Sequence, residues 1–106
     1  MSKVLTTLLV RDRKFYITTW KGELPGMIGT QKRYVAIEDK YLDEDMKLTQ
    51  TLNGFQMHAE PTLNACIETT RTSVEVDWRV QNLGESIEKA LYEVMFANKS
   101  RQPVSE

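Results

Sequence analysis

The chain has 106 residues, 41% hydrophobic and 27% charged, with a formal net charge of −1. That length supports one domain with its own core and without disulfide or metal support, and no apolar run is long enough to span a bilayer. A pI of 5.9 argues against a dedicated nucleic-acid binder, in which it usually exceeds about 9.

Lys3 to Val10 reads as a first strand rather than a signal peptide, because two threonines break its apolar run and no small-residue cleavage site follows. Arg11-Asp12-Arg13 is a charged turn. Lys14 to Trp20 is a second strand, rich in β-branched and aromatic residues. Residues 21–31 hold Gly22, Pro25, Gly26 and Gly29, a long loop of the kind that often carries function. Lys32 to Glu38 is a third strand, and Glu38 to Asp45 a loop or one short helical turn.

Asn53-Gly54 lies between two alternating runs, Met46–Leu52 and Phe55–Glu60, a strong signal for a two-residue type I′ hairpin. Such a turn pairs Leu52 with Phe55, Gln50 with Met57 and Leu48 with Ala59 on one face, and puts His58 opposite Thr49 on the polar one. Thr62–Thr70 and Ser73–Val80 read as a second hairpin around Arg71-Thr72. Asn82 then caps a helix, with Glu85 three residues on. Leu83, Ile87, Ala90, Leu91, Val94 and Met95 form one helical stripe.

The expected fold is therefore α+β: an antiparallel curved sheet or small barrel of about seven strands, a hairpin meander, with one C-terminal amphipathic helix packed on it. The order of seven strands and then a helix resembles the pleckstrin-homology superfold in element order alone. Residues 1–98 form the expected single domain, and residues 99–106 a flexible polar tail.

The chain holds one cysteine, Cys66, and one histidine, His58, and carries no nucleotide-binding or nucleophile-elbow motif. Cys66, Glu68, Glu75 and Asp77 share one face of the second hairpin, where a solvated acidic surface is expected rather than a metal site. No catalytic residue, cofactor or metal is expected. Two surfaces remain.

Residues 1–40 hold eight basic and four acidic residues. A basic and aromatic sheet face follows from Arg11, Arg13, Lys14, Tyr16, Trp20, Lys32 and Tyr34, in which cations would track phosphates and rings would stack on bases. The other surface is Tyr92 and Phe96, one turn apart and off the apolar stripe, where an exposed aromatic pair suits an interface. A pocket lined by Trp20, Tyr34, Met46, Met57 and Trp78 is set against an ordinary core, and the core is favoured. The expected function is a small non-catalytic binding or accessory protein. It would act through self-association, as a homodimer by default, and through a protein partner. The alternative is single-stranded nucleic-acid binding through the basic and aromatic face. No membrane partner is expected, and the free thiol suits the cytoplasm.

Overall fold

The structure, a computed structural model, describes residues 3–101. Its three strands are β1 (Thr6–Val10), β2 (Arg13–Glu23) and β3 (Thr30–Glu38). They form one antiparallel sheet in the order β1-β2-β3. The helices are the one-turn α1 (Gly54–Met57), the long α2 (Leu63–Leu83) and α3 (Ile87–Arg101). The chain divides into two compact units, residues 1–70 and 71–106, with the boundary inside α2.

In the first unit, a two-residue loop, Arg11-Asp12, joins β1 to β2 and pairs Val10 with Arg13. Arg11 has a φ of 53°, the left-handed conformation that such a tight hairpin demands. The β2–β3 loop is shorter than expected. Lys21, Gly22 and Glu23 continue the ladder opposite Lys32, Gln31 and Thr30, leaving only Leu24 to Gly29 unpaired. Gly26 and Gly29 take positive φ in that loop, which glycine adopts without a Cβ clash.

Both faces of the sheet bury residues. One carries Leu8, Phe15, Ile17 and Ala36, and the other Thr18, Val35 and Ile37. Val35 and Ile37 pack with buried Leu52 and half-buried Tyr41, Leu42 and Met57, so the segment 41–57 covers that end of the sheet. One tight helical turn, Asp39–Tyr41, leads into this segment.

The expected seven-strand sheet or barrel is therefore replaced by three open strands, and the pleckstrin-like element order does not hold. Asn53-Gly54 makes no hairpin. Asn53 is instead the N-cap of α1. Its Oδ1 accepts from the Gln56 amide at 3.0 Å, and Gln56 Oε1 accepts from the Asn53 amide at 2.9 Å. Asparagine serves turns and caps equally well, and glutamine three residues on closes a capping box that a hairpin could not use. The local turn lies earlier, at Asp43–Lys47, where Asp43 Oδ1 accepts from the amides of Asp45 and Lys47 and Leu42 bridges Leu48. Glu60 makes one antiparallel bridge with Tyr34 at the outer edge of β3.

The second expected hairpin is helix α2. Thr62 Oγ1 accepts from the Ala65 amide at 3.1 Å and caps its start. Cys66, Thr70 and Val74 are all buried. They recur every four residues, which is a helical rather than a strand period. The β-branched residues Thr69, Thr70, Thr72, Val74, Val76 and Val80 suggested strand, but the burial of one helical face outweighs so small a propensity difference.

In the second unit, α2 continues through Asn82, which therefore caps nothing; its side-chain amide donates to the Trp78 carbonyl. Gly84, at a φ of 68°, ends α2 in the left-handed conformation. Ser86 takes the cap of α3 and accepts from the Lys89 amide. Arg79 ties the corner with two bonds to Glu85, at 2.7 and 3.1 Å. That hydrogen bond lowers the Glu85 pKa and raises that of Arg79. Among the described residues of this unit, the buried apolar ones are Val74, Ala90 and Val94. The tail expected over 99–106 begins as the last residues of α3, to Arg101; the rest of it lies outside the described residues.

Candidate functional site

The β2–β3 register decides what becomes of the basic and aromatic surface. Tyr16 pairs with Ile37, Thr18 with Val35 and Trp20 with Arg33. Residues directly opposite share a face. Lys14, Tyr16 and Trp20 therefore stand with Leu9 and Arg33. Lys32 and Tyr34 stand on the other face, with Lys21 and Thr19. The seven candidate residues are not brought together. The same split separates Trp20 from Tyr34 in the pocket considered above.

Arg13 lies beside Phe15 on the face of Lys32, and is engaged elsewhere. Its guanidinium forms a bidentate pair with Glu38, at 2.6 and 3.0 Å, and lies 5.5 Å from the Phe15 ring centre. Arg11 is in the β1–β2 turn. The lysines sit over rings of their own strands: Lys14 Nζ is 5.1 Å from the Tyr16 centroid, and Lys32 Nζ 5.3 Å from that of Tyr34. Hydrogen bonding to Tyr16 raises the Lys14 pKa. A base stacking on either tyrosine face would have to displace the lysine already there.

The coherent remainder is a shorter strip of Lys14, Tyr16, Trp20 and Arg33. Arg33 escaped the sequence reading because its place depends on register. Trp20 lies flat along its strand over Gly22, so closely that no side chain at that position would fit without moving the ring.

Cys66 and His58 meet through a backbone carbonyl. The Cys66 thiol donates to the His58 backbone carbonyl at 3.3 Å, while the imidazole packs edge-on against Phe15 at 5.9 Å. His58 is thus half-buried beside the sheet, not on a solvated strand face. Burial pushes the Cys66 thiol up to about 11, with a Thr70 hydrogen bond pulling the other way. An activated cysteine is shifted downward instead. Along α2, Glu68, Glu75 and Asp77 no longer share a strand face with Cys66. Among the described residues, no three His, Cys, Asp or Glu side chains gather to hold a metal ion.

The raised thiol predicts a pH effect. Its folded pKa of about 11 exceeds the ordinary value of 9.0, so unfolding releases a proton between those pH values. The stabilisation is complete below about pH 9 and is lost as pH rises towards 11. Over that window, urea unfolding should show about 2–3 kcal/mol more loss than in Cys66→Ala. Parallel pH slopes for the two proteins would contradict this. The native thiol should also resist a thiol reagent at neutral pH until the fold opens.

α3 presents a different kind of surface. Only Ala90 and Val94 of its apolar residues are buried, whereas Ile87, Leu91, Tyr92, Met95 and Phe96 are between 41% and 68% exposed. The expected stripe is thus itself divided, and Ile87, Leu91 and Met95 join Tyr92 and Phe96 in solvent. At about 100° per residue, these five cover roughly half the helix circumference. The Tyr92 and Phe96 rings stack at 6.2 Å.

No family model matches the chain, and neither a curated protein nor a solved structure shows significant similarity to it. No helix among the described residues is long and apolar enough to cross a membrane.

Proposed function

We propose that this chain is a small non-catalytic binding or accessory protein that self-associates, as a homodimer, through the exposed apolar face of α3. The observation that carries the reading is the run Ile87, Leu91, Tyr92, Met95 and Phe96, all large, apolar and exposed on one helix. A contiguous apolar patch of this kind is costly to leave in water and characteristic of interfaces. Tyrosine, phenylalanine and methionine are the residue types enriched there. The buried free thiol suits a reducing compartment, so a cytoplasmic location belongs to the same proposal.

Single-stranded nucleic-acid binding has less support. The register leaves only Lys14, Tyr16, Trp20 and Arg33 on one face, and a lysine already covers the Tyr16 ring.

Light scattering tests the proposal. The Tyr92→Ser/Phe96→Ser double variant should lose dimer affinity at least a hundredfold, from about 2 kcal/mol per aromatic anchor, with unchanged circular dichroism. An unaltered dimer, or a monomeric native protein, would overturn it.

A further inference from the structure

The β2–β3 hairpin ends in an exposed apolar tip. Beyond Ile17, β2 no longer ladders with β1. From Trp20 to Glu23 it pairs, among the described residues, with β3 alone, opposite Arg33 to Thr30. This two-stranded arm is about 10 Å long. At its end Ile28 is 98% exposed and Met27 47%. The loop between the strands is ordered by its own bonds. Pro25, Gly26 at a φ of 78°, and the Met27 amide donating to the Leu24 carbonyl at 3.2 Å make the pattern of a type II turn. Gln31 Nε2 donates to the Ile28 carbonyl at 3.2 Å, and Arg33 Nη2 to Met27 Sδ at 3.7 Å. The arm thus holds an isoleucine out in water, where its hydration is costly.

Behind the tip stand Lys21, Lys32 and Arg33, against one acid, Glu23. Lys21 and Lys32 are direct cross-strand partners, and like charges so placed repel. Trp20 and Arg33 lie on one face of the arm, and Tyr34, Lys21 and Lys32 on the other. The register that breaks up a flat nucleic-acid surface therefore rings the arm with cations and aromatic residues. Tryptophan and tyrosine favour the headgroup layer of a bilayer, and lysine and arginine reach its phosphates while their stems stay apolar. The lysine pair lies about 7 Å behind the last rung of the ladder, which matches the 5–10 Å depth of about one interfacial layer. Glu23, on that last rung, opposes an anionic surface and keeps insertion shallow.

We infer that this arm is a shallow anchor for an anionic phospholipid surface, with Met27 and Ile28 at the acyl boundary and Lys21, Lys32 and Arg33 on the headgroup phosphates. A pocket in a partner protein would suit the isoleucine equally, but it gives the surrounding cations no role. No membrane partner is expected from the apolar runs alone, yet an arm of this kind rests on a bilayer rather than crossing it.

Co-sedimentation of the intact chain with vesicles tests the anchor. The protein should bind phosphatidylcholine vesicles carrying about one-third phosphatidylserine at low salt, and about tenfold less tightly or worse without the anionic lipid. Ile28→Ser should weaken binding about tenfold with unchanged circular dichroism, since the side chain it removes is exposed. Lys21→Gln/Lys32→Gln should weaken binding about twentyfold and Glu23→Gln strengthen it about fivefold, at roughly fivefold per charge near the surface. No binding to anionic vesicles would overturn the anchor. So would binding that Ile28→Ser leaves unchanged, because the contact would then lie on another surface, such as α3. Neither result touches the self-association, which light scattering reads without lipid.

Discussion

Phe15→Ala should cost the first unit about 3–5 kcal/mol in chemical denaturation, the usual range for a buried phenylalanine. Phe15 is 1% exposed. It sits mid-sheet, opposite Leu8 of β1 and Glu38 of β3. Its ring meets the His58 imidazole edge-on and lies under the Arg13 guanidinium. Truncation therefore removes apolar burial and two ring contacts, and leaves a cavity that a three-stranded sheet has few side chains to fill. Leu9→Ala is the matched control. Leu9 belongs to β1 but lies on the other face and is 68% exposed, so its loss should change stability by less than about 0.5 kcal/mol. Similar costs for the two would show that the face assignment is wrong.

Glu38→Leu should cost about 3 kcal/mol, because it strips the Arg13 guanidinium of a bidentate partner. The Glu38 side chain is 10% exposed and that of Arg13 is 27% exposed. Breaking such a pair from one side takes the bidentate carboxylate from a partly buried guanidinium, and that loss accounts for most of the cost. Lys40, at 3.9 Å, is a weaker neighbour of the same carboxylate. The Arg13→Leu/Glu38→Leu double variant should recover part of the loss, since the guanidinium deprived of its bidentate carboxylate is then removed as well. If the double variant loses the sum of the two single costs, the ion pair is not the source of the effect.

The N-terminal half of the fold was legible in the sequence, and the reasons are local. Period-two alternation and β-branched residues marked three strands, and Arg11-Asp12 and Pro25-Gly26 marked the turns between them. From Met46 onward the cues were ambiguous. Asn53 is a strong turn residue and an equally strong cap, and Gln56, three residues later, was the signal that should have decided for the cap. In α2 the β-branched content spoke for strand, while the four-residue spacing of Cys66, Thr70 and Val74 spoke for helix. Burial followed the spacing. The basic and aromatic surface depended on a subtler quantity, the parity of a loop. Six unpaired residues, Leu24 to Gly29, pair even positions of β2 with odd positions of β3. One residue more or fewer would have put Tyr34 beside Tyr16. For α3, Tyr92 and Phe96 could be recognised as off the stripe. Nothing in the spacing alone told that Ile87, Leu91 and Met95 would also remain in solvent.

The capping box at Asn53 also bears on the chemical ageing of the chain. Asn-Gly is the dipeptide most prone to deamidation, because the unhindered glycine nitrogen can attack the asparagine side chain and close a succinimide ring. Here the side-chain oxygen is held by the Gln56 amide, and Asn53 has a ψ of 175°, far from the angle that brings the glycine nitrogen up to the side-chain carbonyl. The cap that orders α1 thus also protects the bond most vulnerable to time. Deamidation to aspartate would preserve an acceptor for the helix start. The isoaspartate product, which adds a methylene to the backbone, would not.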